Sequence, residues 1–407
     1  MIISYQKNAM QLVIYSFLLL TAACKKGGSG GENNPAKPSV SVSNITLAEG
    51  NTGTTNFQFA VKLSSASSQT VTVTYSTVEG TAKSGEDFTA VTNQAVTFQP
   101  NETAKTVIIT VVADDIRESD ETFTLMLTGA VNATIQQQTA DAVITNDDIR
   151  VPFTNAGYDA PSAYTGYTLA WADEFNSGSL NSTAWSNQNG DGCSINLCGW
   201  GNNELEYYTD RPDNLFFQDG KLIIEAKKEN YSGKNYTSSK ILTSGKKTFK
   251  FGRIDIRAKL PKGKGIWPAL WLLPQSNVYG GWPTSGEIDL MELVGHEANK
   301  VYGTLHYGPG PGSTQISRSY TLPTGTFNDE FHVFSLEWKQ DQLKWFIDNT
   351  LYSTVNKADL VATATYPFNE SFYFIINLAV GGNWPGSPDA TTSFPQWLIV
   401  DYVRVYQ

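Results

Sequence analysis

From Ser39 onward the sequence is written in short runs that alternate apolar and polar residues. "TNFQFAVKL", "TVTVTYS" and "KTVIITVVA" are examples early on, "KLIIEAKK", "RIDIRAKL" and "SFYFIINLAV" later. That period of two puts successive side chains on opposite faces of a strand, and Gly, Asn and Pro punctuate the runs. Residues 165–407 keep no helical period over three turns. A chain of this kind is all-β, because its apolar faces must be buried sheet against sheet. Composition divides it in two. All ten tryptophans lie between Trp171 and Trp397 and all three histidines beyond residue 295, whereas residues 39–148 have neither. Seven short runs in 39–148 predict an immunoglobulin-like sandwich, 149–164 reads as a linker, and 165–407 predicts a larger sandwich or jelly roll. The net charge of -10 disfavours nucleic acid and polyanionic substrates.

One run breaks its own rhythm. In "GEIDLMELVG", Gly286 to Gly295, Glu287 and Asp289 alternate with Ile288 and Leu290, but Glu292 arrives one residue late. Strict alternation would put Met291 among the acids and Glu292 in the core. A β-bulge, one extra residue absorbed at Leu290–Met291, returns Glu292 to the acidic face. Four effective rises of ~3.3 Å separate the glutamate Cα atoms by ~13 Å, and side chains leaning together leave carboxylates about 5–6 Å apart. That is the gap of a retaining glycosidase, where one carboxylate attacks the sugar and the other moves protons; an inverting pair needs ~6.5–9.5 Å to admit a water. Acids this close raise one another's pKa, which keeps one protonated near neutrality as a general acid. Asp289 stands between them, placed to hydrogen-bond the attacking carboxylate. A solvated acidic face and a calcium site are the plainer readings of the same pattern. Context favours a sugar cleft: Trp267 and Trp271 in "GIWPALWLLP", then Trp282, precede the acids. Indole faces suit the C–H surfaces of sugars.

Together these residues resemble glycoside hydrolase family 16, in its laminarinase-like β-1,3-glucanase branch. The likeness runs over nearly all of 165–407, through "WADEFN", "GWGNNELEYYT", "GTLHYG", "NLAVGGNWPGSPD" and "FPQWLIVDYVRVYQ". It implies a β-jelly roll with a concave substrate cleft and a retaining endo-β-1,3-glucanase acting on laminarin-type β-glucan. Glu287 would be the nucleophile, Glu292 the acid/base and Asp289 the assisting acid, with no cofactor required for the chemistry. It also implies sugar contacts at Asn202, Trp267, Trp271, Trp282 and His306, and at Lys240 in "YTSSKI", where relatives often carry arginine. Lysine keeps the charge and loses the bidentate fork. A structural calcium ion (Ca2+) is implied at Glu174, the Gly220 carbonyl and Asp401, clamping the two ends of the domain. The inserted Met291 weighs against the lichenase branch. A family-16 enzyme for mixed-linkage β-glucan, agar or carrageenan is the second reading, and a glycan-binding surface lipoprotein without turnover the third.

In the first domain Glu49, Asp87, Asp114, Asp115, Glu118, Asp147 and Asp148 fall at strand ends, where loops can gather them as an oxygen-rich calcium site or leave them as a solvated rim. "YSTVEGTAKSGEDFTA" and "ADDIRESDETF" resemble the Calx-beta family across 39–148, in which the matching acids bind calcium. At the start, Lys7, the apolar run Leu12 to Leu20 and "TAAC" give residues 1–24 the anatomy of a signal peptide. The small residues before Cys24 resemble the lipobox of bacterial lipoproteins, with Leu20 four residues before the cysteine rather than three. A lipid on Cys24 would be the only membrane attachment, to the bacterial outer membrane; ordinary secretion is the alternative. Residues 25–38 read as a flexible tether. Export leaves Cys193 and Cys198, in "CSINLC", to form a local disulfide or stay as two thiols. The expected molecule is a monomer whose partner is a β-glucan polysaccharide.

Overall fold

A computed structural model describes residues 36–308 and 314–407, so the apolar run, Cys24 and most of the tether lie outside the described residues. Strands Ser39–Val42, Gly53–Leu63, Ala104–Ala113 and Thr134–Ile135 form one sheet of the N-terminal domain. Ile45–Ala48, Val71–Glu79, Gln94–Phe98, Glu121–Val131 and Thr139–Thr145 form the other. The alternation buries Phe57, Phe59 and Phe123 between them, and Phe88 stacks on Phe123 with ring centres 4.4 Å apart. This is the two-sheet sandwich that the alternation predicts.

The C-terminal domain is a second, larger sandwich of a ten-stranded and a seven-stranded sheet. Ile254, Ile256, Leu336, Trp338, Val403 and Val405 of the first pack against Leu270, Leu272, Ile288, Leu290, Phe374 and Ile376 of the second. The seven-stranded sheet runs, edge to edge, Ser186–Asn187, Lys240–Leu242, Phe372–Val380, Ile266–Pro274, Glu287–Glu292, Lys300–His306 and Gln315–Thr321. The acidic strand is third from one edge, with the tryptophan strand and the histidine strand as its neighbours. This jelly-roll arrangement buries one face of that sheet and leaves the other free to bind.

Residues 149–164, read from sequence as a linker, form an ordered strap on the outer face of the ten-stranded sheet. Val151 and Phe153 pack with Ile223, Phe331 and Ile399, and Tyr158 and Ala160 pack with Val333 and Tyr402. Polar anchors fix the path: Tyr164 Oη donates to Asp255 Oδ2 at 2.7 Å, and Arg257 Nε donates to the Tyr158 carbonyl at 2.7 Å. The reason is hydrophobic. An outer face carrying Ile223, Val333 and Ile399 costs free energy if left in water. The sandwich meets the larger domain through Arg117, whose Nε donates to Glu225 Oε2 at 2.6 Å, and Ser119, whose Oγ donates to the Phe394 carbonyl at 2.8 Å. Glu225 is buried and also accepts Trp397 Nε1 at 2.8 Å. Burial pushes its pKa up, and Arg117 opposes that rise. A carboxylate so enclosed needs its cation.

Candidate active site

Backbone register puts the extra residue of the acidic strand at Leu290–Met291. On one side Asp289 pairs with Trp271 and Met291 with Leu270, so Leu290 has no opposite number. On the other, Asp289 pairs with Thr304 and Glu292 with Tyr302, so two intervening residues, Leu290 and Met291, oppose one, Gly303. Leu290 and Met291 both drop into the core, and Glu287, Asp289 and Glu292 all line a single cavity of about 740 Å³.

Each acid has a tryptophan partner. Trp282 Nε1 donates to Glu287 Oε2 at 2.8 Å, and Trp267 Nε1 donates to Glu292 Oε1 at 3.1 Å. Trp345 Nε1, from beneath the sheet, donates to the Asp289 carbonyl at 3.0 Å. His306 Nε2 stands 3.3 Å from Asp289 Oδ2 and 3.7 Å from Glu287 Oε1. Burial, then the charge of Asp289, pushes Glu287 up to about 8. Burial pushes Asp289 up to about 8 as well. Glu292 is raised well above the carboxylate range by burial first, then by Asp289 and Glu287. Such a set holds protons at neutral pH. One acid can donate a proton while its ionised neighbour attacks.

The other residues expected at the cleft also line this cavity: Asn202, Lys240, Trp267, Trp271, Trp282 and His306. Their contacts differ from simple sugar platforms, since Trp271 Nε1 is engaged with Asn377 Oδ1 at 2.7 Å. Lys240 sits in an aromatic box, its Nζ 4.1 Å from the Trp200 ring centre and 5.2 Å from that of Trp271. Burial lowers its pKa to about 8, against the pull of Glu204, Glu206 and Glu287. Glu204 and Glu206, which sequence reading missed, are both buried; Glu204 lines the cavity, and Glu206 Oε2 accepts Val380 N at 2.7 Å. The alternation in "ELEYY" was the available signal. Trp384 was also missed. It is 41% exposed on the cleft rim, edge-on to Trp267 and Tyr302 with centroids 5.6 and 5.0 Å away.

The metal expectations divide. Glu49, Asp147 and Asp148 have ligand atoms within 4.8 Å of one another, as do Asp87, Glu118 and Glu121. Either group can hold a metal ion. Asp148 Oδ2 is buried without a partner among the described residues, which suits a cation. Asp115 is a correction: it lies outside both groups and pairs with Arg150 at 3.2 Å. The second correction is the calcium site of the larger domain. Asp401 bridges Lys221 at 2.7 Å and Arg257 at 2.5 Å, while both oxygens of Glu174 take the fork of Arg404 at 2.7 and 2.9 Å. Beside Gly220 stands the Asn176 side chain. These carboxylates are already neutralised by fixed cations, so the residues present do not fit a calcium ion. Cys193 and Cys198 are joined in a disulfide.

Comparison with known proteins agrees with this geometry. The family model of the glycosyl hydrolases family 16 matches residues 202–399, and that of the Calx-beta domain matches residues 33–148. A beta-glucanase of Rhodothermus marinus is 39% identical over 62% of this chain and 89% of its own length. The glucan endo-1,3-beta-glucosidase A1 of Niallia circulans is 41% identical over 62% of this chain, which spans only 39% of that relative. The laminarinase catalytic domain of Thermotoga maritima superposes with a TM-score of 0.57 at 46% identity, over 59% of this chain and 98% of that one.

Proposed function

The chain belongs to glycosyl hydrolase family 16, and from that premise we propose that it is a retaining endo-β-1,3-glucanase acting on laminarin-type β-glucans. One observation carries the reading: the bulge at Leu290–Met291 returns Glu292 to the face of Glu287 and Asp289, inside a cleft walled by tryptophans. Glu287, ionised, attacks the anomeric carbon of the sugar at the scissile bond. Glu292 gives its proton to the departing glycosidic oxygen, then takes one from the water that releases the glycosyl-enzyme. Trp282 and Trp267 hold the two carboxylates through their indole N–H groups, and Asp289 lies between them within reach of His306. The names of the Niallia and Thermotoga proteins, a glucan endo-1,3-beta-glucosidase and a laminarinase, support the choice of β-1,3-glucan.

Laminarin, mixed-linkage β-glucan, agarose and carrageenan offered side by side test the substrate. Laminarin should release reducing sugar fastest, with the β-anomer of the new reducing end appearing first by NMR. Glu287→Gln and Glu292→Gln should each lower laminarin hydrolysis by at least 1,000-fold, on the order of the losses tied to essential catalytic groups. An active Glu287→Gln protein would end the assignment. Calcium in the N-terminal sandwich is part of the same proposal, supported by the two acidic groups and the unpartnered Asp148 Oδ2. It would supply cross-links between loops and no step of the hydrolysis. The lipid anchor at Cys24 is supported by the sequence alone.

A further inference from the structure

The loop from Gly190 to Asn203 belongs to neither sheet, yet Leu197, Trp200, Gly201 and Asn202 line the cleft. Two features show that its shape is held against the chain's own preferences. Gly199, Trp200 and Gly201 follow one another at φ values of 59°, 50° and 80°. A tryptophan in that left-handed region is unfavourable unless its surroundings fix it. Leu197 is 44% exposed although apolar, and the side it shows faces the cavity.

The base of the loop is tied to the turn that follows strand Phe372–Val380. The Asn202 carbonyl accepts Asn383 N at 2.7 Å, and Asn203 Nδ2 donates to Asn383 Oδ1 at 2.7 Å. Its tip carries Ile195 and Leu197 and is closed by the bond between Cys193 and Cys198. Asp191 accepts Gly199 N through its carbonyl at 2.8 Å and Cys193 N through its carboxylate at 3.1 Å. We propose that the Cys193–Cys198 disulfide is a positioning device, fixing Leu197 and Trp200 as the far wall of the cleft where an extended β-glucan chain lies away from the bond being cut. The inference rests on the glucanase reading above.

Distance from the acids argues for affinity over chemistry. Trp200 lies over Lys240, whose strand is three places from the acidic strand in the sheet. At about 4.8 Å per strand spacing the backbones of those two strands lie ~14 Å apart. A sugar unit against this wall is therefore not the one that reacts. Lost contacts that are equal in the ground and transition states raise KM and leave kcat nearly alone.

The test is the double variant Cys193→Ser/Cys198→Ser beside wild type, on laminarin and on a β-1,3-glucan oligosaccharide series of increasing length. Intact-protein mass spectrometry should find the bond in the wild type. In the variant KM for laminarin should rise roughly three- to tenfold, while kcat falls less than about twofold. The gap between the two proteins should widen with oligosaccharide length and then level off. Leu197→Ala, which keeps the bond, should raise KM in the same direction and covers the case of a double variant that fails to fold. Two free thiols in the wild type, an unchanged KM, or equal losses on short and long substrates would each overturn the inference. A wild type inactive on laminarin would instead remove the functional reading, and this inference with it.

Discussion

Glu287 is hemmed in by Asp289, and its hydrogen-bond donor is the uncharged indole of Trp282. Burial first, then the charge of Asp289, keeps a proton on this group where the unfolded chain has released it, and the ionised fraction that attacks the sugar grows as pH rises toward about 8. The resulting cost is absent below the ordinary value of 4.5, grows as pH climbs toward about 8, and is complete above that. Glu287→Gln removes the ionisation while keeping the shape. We expect its melting temperature to exceed that of wild type, by little near pH 4.5 and by most near pH 8. Differential scanning fluorimetry across the pH range reads this directly, and a gain independent of pH would refute it. The three acids could be found from sequence because the signal is local, a broken alternation within six residues, Glu287–Glu292. Trp267 and Trp282 were also legible as cleft residues, but not their role as donors to the acids, and Trp345 was not legible at all. Trp345 reaches the Asp289 carbonyl across a sequence separation of 56.

At the scale of the strand, the bulge invites a test by length rather than chemistry. Removing Met291 leaves Glu-Ile-Asp-Leu-Glu, in which plain alternation puts all three acids on one face. The phase survives; the loss is a buried methionine side chain, costing about 2–5 kcal/mol. Inserting one alanine after Met291 adds a residue that the register has no room for, and turns Glu292 toward the core. The deletion should keep measurable laminarin hydrolysis while the insertion loses it. Equal activity in the two proteins would mean that strand phase does not position these acids. The strap is a second element whose role lies in packing. A protein that starts at 165, and so lacks residues 149–164, has Ile223, Val333 and Ile399 uncovered. At about 1.5–3 kcal/mol per buried apolar side chain, the melting temperature should fall on the order of 10 °C relative to a protein starting at 149. Calorimetry on the two proteins decides it.

For the whole molecule, two domains with separate cores carry opposite electrostatic solutions to crowded carboxylates. In the sandwich, burial and neighbouring acids push Glu49 and Glu118 up to about 7 and Glu121 up to about 8. A divalent cation would relieve that crowding. In the larger domain, Lys221, Arg257 and Arg404 occupy the place of such an ion. Calcium should therefore raise the unfolding temperature of the sandwich, and Asp148→Asn should blunt the shift, because a ligand bound only by the native state stabilises it by mass action. Chelator should leave the unfolding of the larger domain where it was. A calorimetric scan with calcium and with EDTA separates the two, and a chelator-sensitive larger domain would contradict the ion-pair assignment.

Alternation, turn residues and the late glutamate were sufficient to predict two β-sandwiches and the acidic face, because strand phase is a property of neighbouring residues. Where the charged groups find their partners is a different matter. Glu174 meets Arg404 across 230 residues, Asp401 meets Arg257 across 144, and the strap reaches Tyr402 from Ala160 across 242. Whether a carboxylate binds a metal, a cation or a proton depends on which groups lie within a few ångströms of it once the chain has closed on itself. Local pattern carries no record of that, and only the tertiary structure decides it.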